Sequence, residues 1–109
     1  MGCGITDNGD VYYGSTPKYR LDIEAELPMS DFDFEADLIC GERHITIEKG
    51  SMPKDSSGNY YVCFDTKNLG IGPVKAVITA KIPDEAFRDK GGIRKEIYVI
   101  DRLTVIRGV

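Results

Sequence analysis

Tryptophan is absent from this chain, histidine occurs once, at His44, and apolar residues almost never fall at helical spacing. With a single imidazole, a Ser-His-Asp triad would have to use His44, and no nucleophile sits in a recognisable strand-to-helix elbow. His44 follows Arg43 and alternates with Ile45 and Ile47, which reads as a surface position at the start of a strand. No apolar run approaches the ~20 residues a helix needs to cross a bilayer, and no signal-peptide pattern is expected. Cysteine is scarce as well. Cys3, Cys40 and Cys63 cannot all pair internally, and none has a neighbour at zinc-ligand spacing. An odd number without regular spacing fits a reducing compartment, while a Cys40 to Cys63 bridge stays open. A Cys63 nucleophile paired with His44 is formally available, but flanking Val62 and Phe64 point to a thiol built into a strand. An enzyme is not expected.

What the chain does contain is alternation. Leu21, Ile23, Ala25 and Leu27 interleave with Arg20, Asp22, Glu24 and Glu26, and Val74, Ala76, Ile78, Ala80 and Ile82 interleave with Lys75, Thr79 and Lys81. Successive side chains of a strand point to opposite faces, so each run presents one apolar side, as a strand half buried against a second sheet requires. The 109 residues, 41% of them hydrophobic, suffice for one domain whose core needs no disulfide. The formal net charge is −4, and it is unevenly spread: residues 1–66 hold 13 acids and 5 bases, residues 67–109 hold 5 acids and 9 bases. Such a split is either scatter over solvated faces or a means of docking copies or partners in a fixed orientation.

Residues 1–18 are rich in glycine and asparagine and are closed by Pro17, so they read as an extended N-terminal arm, with Asp7-Asn8-Gly9-Asp10 a tight turn into Val11-Tyr12-Tyr13. Such an arm has no core of its own; it is frayed, or it docks on a neighbour. Residues 19–109 form the domain proper. Strands are expected from Tyr19 to Leu27, Asp31 to Cys40, Arg43 to Glu48, Tyr60 to Asp65, Val74 to Ile82 and Ile93 to Ile106. The last is read with Ile97, Val99, Leu103 and Val105 on one face and a bend or bulge near Asp101. Leu69 is placed to plug one end of the core. Glu85 to Asp89 is the one segment suited to a helical turn, ended by Gly91-Gly92. Six or seven strands without a crossover helix predict an all-β, immunoglobulin-like antiparallel β-sandwich, with a small barrel as second choice.

Other constellations are weak. Asp31, Asp33, Glu35 and Asp37 share a strand face, but extended chain spaces them about 7 Å apart in a line, where a calcium loop must curl around its ion. No metal or cofactor is expected. Gly70-Ile71-Gly72-Pro73 leads into a strand, whereas a phosphate cradle leads into a helix. Lys90, Arg94, Lys95, Arg102 and Arg107 are diluted by acids, so nucleic acid is not an expected partner. The start Met1-Gly2-Cys3-Gly4 superficially suits myristoylation, but Asp7 and Asp10 follow closely and weaken membrane attachment; no membrane role is expected. Tyr60 and Tyr61 with neighbouring carboxylates offer the alternative function, a carbohydrate-binding or adhesion module.

Several stretches together resemble a known kind of domain: Asp31-Phe32-Asp33-Phe34, then Tyr61-Val62-Cys63-Phe64-Asp65-Thr66 running into Leu69-Gly70-Ile71-Gly72. Val74-Lys75-Ala76, Ile82-Pro83-Asp84 and Gly92-Ile93-Arg94-Lys95-Glu96 follow. In this order, from Asp31 to Ile106, the chain is similar to immunoglobulin-like structural modules of phage and prophage virion proteins of gut bacteria, found in baseplates, tail appendages and capsid accessories. The resemblance implies a non-enzymatic virion component, made in the host cytoplasm, that docks on major capsid, fibre or tail proteins, with self-association a further expectation. Contacts are expected from Tyr12 and Tyr13 of the arm, from the acidic Asp31, Asp33 and Glu35, and from Arg94 and Lys95.

Overall fold

The computed structural model describes residues 3–5 and 9–107. The expected turn at Asp7-Asn8 and the Met1-Gly2 start lie outside the described residues, in whole or in part. Among these residues eight strands form: β1 (Cys3–Ile5), β2 (Asp10–Tyr12), β3 (Lys18–Ile23), β4 (Asp33–Cys40), β5 (Arg43–Glu48), β6 (Tyr60–Cys63), β7 (Gly72–Pro83) and β8 (Ile93–Ile106). They make two layers, a three-stranded sheet in the order β1-β3-β6 and a five-stranded sheet in the order β2-β8-β7-β4-β5. The chain is therefore an all-β sandwich.

The alternating runs bury the side the pattern implies. Tyr19, Leu21 and Ile23 of β3, Phe34, Ala36, Leu38 and Cys40 of β4, and Val74, Ala76, Ile78, Ala80 and Ile82 of β7 all enter one core. Each large aliphatic side chain buried there contributes about 1.5–3 kcal/mol relative to exposure. Phe34 meets Phe32 and Tyr60 edge to face, with ring centroids 5.8 and 5.1 Å away, a geometry that suits the ring quadrupoles. Leu69 is fully buried at one end. The helical turn after β7 is a 3-10 turn, Glu85–Lys90, whose start is capped by the Asp84 carboxylate accepting from the Ala86 amide. Gly91 and Gly92 follow it at φ 80° and 74°, a left-handed pair that only glycine adopts without strain.

Four expectations need correction. The sandwich is not wholly antiparallel: β2 runs parallel to β8, with Asp10, Val11 and Tyr12 opposite Thr104, Val105 and Ile106. Strands among the described residues number eight, because the segment expected as a separate arm supplies two. β1 pairs with β3 at one sheet edge and β2 with β8 at the other, and Cys3, Ile5 and Val11 pack against the core. Both sheets have an edge that needs pairing, and three-residue strands are too short to announce themselves by alternation. The first long strand ends at Ile23, and the one that follows begins at Asp33; Asp31 sits in a 3-10 turn, Met29–Asp31, so it does not share the strand face of Asp33 and Glu35.

The fourth correction concerns β8. Its register with β7 slips between Val74 and Ala76, where Leu103 and Ile100 are the partners, leaving Asp101 and Arg102 together opposite Lys75. This is the expected bulge, but it reverses the phase of the strand. Ile100, Tyr98, Glu96 and Arg94 lie across from the buried Ala76, Ile78, Ala80 and Ile82, and residues directly opposite each other share a face. Ile97 and Val99 therefore point outward, while Leu103 and Val105 point in.

Candidate functional site

Outward-facing β8 residues lie beside their counterparts on β7 and β4, which gives the five-stranded sheet an unusual outer surface. Across the strands run Lys95, Lys81 and Asp33; then Ile97, Thr79, Glu35 and Glu48; then Val99, Val77, Asp37 and Thr46. Ile97 is 60% exposed and Val99 58%. With half-buried Val77 they make an apolar strip on a face where alternation ordinarily places polar side chains. Acids of β4 and β5 border it on one side. Lys81 and Lys95, both exposed, border it at one end.

The inner side of the same half of β8 is polar. Arg94 stands between three carboxylates: its guanidinium donates to Glu26 at 2.8 Å, Asp84 at 2.7 Å and Glu96 at 2.9 Å. Its side chain is only 17% exposed. These bonds hold the guanidinium proton more tightly than usual, the Glu26 bond first among them, and the Arg94 bond pulls Glu26 down to about 2. The Tyr98 hydroxyl donates to Glu96, and that bond pushes the phenol up to about 12. The cluster ties the segment after β3 to the start of β8 and presents no free guanidinium to a partner.

The remaining expected contact residues are scattered. Asp33, Glu35 and Lys95 do share the outer face of the five-stranded sheet. Tyr12 and Tyr13, 55% and 41% exposed, lie at the opposite end of β8 from Lys95, beside Ile106. Asp31 is exposed in its turn, off the sheet. Arg94 faces inward, as just described, because its partner in the ladder is the buried Ile82. Ile97, Val99 and Val77 were not expected as surface groups. The consecutive polar pair Asp101-Arg102 was the signal that the phase changes there.

Other candidates resolve as parts of the scaffold. Tyr60 is buried against Phe34, and the half-buried Tyr61 hydroxyl donates to Asp55 at 2.8 Å, so the two rings form no common platform for a sugar. Asp55 also accepts from the Asn59 and Ser57 amides; the Asn59 amide is the main cause that lowers it to about 2. The Lys49 ammonium donates to the Met29, Ser30 and Phe32 carbonyls and pins the crossing into β4. Cys40 is buried between the sheets and Cys63 is exposed on an outer face, so each is a free thiol and the bridge left open above does not form. Burial, then the nearby Asp22 charge, pushes the half-buried Cys3 thiol up to about 12. His44 is exposed on β5. Among the described residues no cluster of His, Cys, Asp or Glu is arranged to hold a metal ion, and no helix is long and apolar enough to cross a membrane.

No family model, curated protein or solved structure matches the chain.

Proposed function

We propose that this chain is a non-enzymatic, immunoglobulin-like structural module of a phage or prophage virion, an accessory protein that docks on capsid, fibre or tail proteins. Docking runs through the outer face of the five-stranded sheet. The observation that carries the reading is the exposure of Ile97 and Val99 side by side on a sheet face, since an apolar strip rimmed by charge is what a protein-docking surface looks like. Two further features support it. The run β8-β7-β4-β5 has the G-F-C-C′ order of immunoglobulin variable-type sheets. The polar groups that depart from a plain scaffold, above all Arg94 with its carboxylates, are engaged with one another and hold the sandwich together.

The experiment is reconstitution. Virions purified from the phage or prophage that encodes the chain should contain it, and particles grown without it should take up the purified full chain in a pelleting assay. Val99→Asp, which places a charge in the strip, should abolish pelleting while leaving the circular dichroism spectrum unchanged. Absence of the chain from purified particles, or undiminished pelleting of the variant, would overturn the reading.

A further inference from the structure

The outer face carries both signs of charge around one apolar strip, largely apart from each other, although Asp33 stands beside Lys81 and Lys75 lies towards the opposite end of β7. Glu35 and Asp37 on β4 lie to one side of Val77, Ile97 and Val99; Lys81 and Lys95 lie at one end of the same strip. A partner must offer the same elements in exchanged positions: apolar side chains at the centre, bases over the acids, acids over the bases. A uniformly acidic or basic surface satisfies only half of this and repels the other half. A second copy of this chain satisfies all of it. A two-fold axis lying in the contact plane, running diagonally across the strands through the strip, exchanges the acidic patch with the basic end and sets the apolar residues of one copy on those of the other. Such an isologous contact is the commonest way identical chains associate, and two sheets pack face to face about 10 Å apart in the same manner.

We infer that the chain forms a face-to-face dimer through the outer surface of its five-stranded sheet, Val77, Ile97 and Val99 at the centre and Glu35 and Asp37 paired with Lys81 and Lys95 of the other copy. The dimer rests on the docking face proposed above and gives that face a specific occupant. Phosphate-bearing surfaces are disfavoured because the acids of β4 and β5 lie against the strip. Association weakens with salt, since its orientation comes from charges at the rim.

Analytical ultracentrifugation of the full chain tests it. The expected mass is twice that of the chain at about 100 µM, and Val99→Asp is expected to weaken association by about 100-fold or more, because a carboxylate would be desolvated at the centre of the contact. The thermal unfolding profile of the variant, taken at a concentration where both proteins are monomeric, is expected to match that of the wild type. Charge exchange gives a second readout. The double variants Glu35→Lys/Asp37→Lys and Lys81→Glu/Lys95→Glu should each lose self-association, and an equimolar mixture of the two should recover a dimer. A wild-type monomer at about 1 mM, an undiminished Val99→Asp dimer, or failure of the mixture to associate would overturn the dimer. The pelleting assay separates this from the broader reading. A monomer whose pelleting is abolished by Val99→Asp keeps the docking face and discards the dimer. A dimer that pellets with no particle keeps the dimer and discards the virion role.

Discussion

Thr66 shows how much a single hydroxyl holds in place. It is the one polar side chain fully buried among the described residues. Its Oγ1 accepts from the Gly14 amide at 2.8 Å and donates to the Ser15 carbonyl at 3.0 Å, while its own amide donates to that same carbonyl at 3.1 Å. The segment between β2 and β3 is thereby fixed to the crossing that leads into β7. Thr66→Val keeps the shape and leaves the Gly14 amide without its acceptor, so it is expected to cost about 1–3 kcal/mol. Urea unfolding measures the cost, and hydrogen exchange should show faster exchange at Gly14 than in the wild type. Nothing in the sequence marks Thr66, because its partners Gly14 and Ser15 lie 52 and 51 positions away. Leu69, three residues on, was legible, since an isolated leucine among turn-forming residues has only the core to enter.

Whole strands were legible where one phase runs from end to end. β7 buries every second residue from Val74 to Ile82, and β5 and β8 begin and end where alternation places them. β8 was misread only in its phase, because a bulge inserts one residue and parity counted across it comes out reversed. The consequence is open to measurement. Ile97→Asp in the monomeric protein is expected to change stability by no more than about 0.5 kcal/mol, whereas Val105→Asp puts a carboxylate in the core and is expected to unfold the chain or cost more than about 4 kcal/mol. Equal effects of the two substitutions in chemical denaturation would contradict the phase change. The candidate docking face was illegible for the same reason: its apolar strip exists only because the bulge turns Ile97 and Val99 outward. Its charged border, by contrast, was half visible, since Asp33, Glu35 and Lys95 were already expected as contact residues.

For the molecule as a whole, a charged network ties the segment that follows β3 to the five-stranded sheet, in addition to the shared core. Glu26, beyond the end of β3, meets Arg94 at the start of β8, 68 positions away, and the Arg94 guanidinium, first through its hydrogen bond, lowers Glu26 from 4.5 to about 2. A carboxylate depressed in the folded state binds fewer protons there than in the unfolded chain, so its contribution is complete above pH 4.5 and is lost as pH falls toward about 2. Glu26→Gln is expected to flatten the decline of the thermal midpoint over that window and to leave its pH dependence near neutrality unchanged. A scan of unfolding temperature against pH for both proteins is the check. Long-range pairs such as this one leave no local pattern, so a reading of periodicity finds the layers and not the ties between them. The parallel pairing of β2 with the far end of β8 has its own consequence for how the molecule comes into being. Residues 10–12 leave the ribosome before residues 104–106, which complete their berth, because 94 positions separate Asp10 from its partner Thr104. This edge of the five-stranded sheet therefore closes late, with β2 waiting through the making of every other strand of its sheet for the far end of β8 that will hold it.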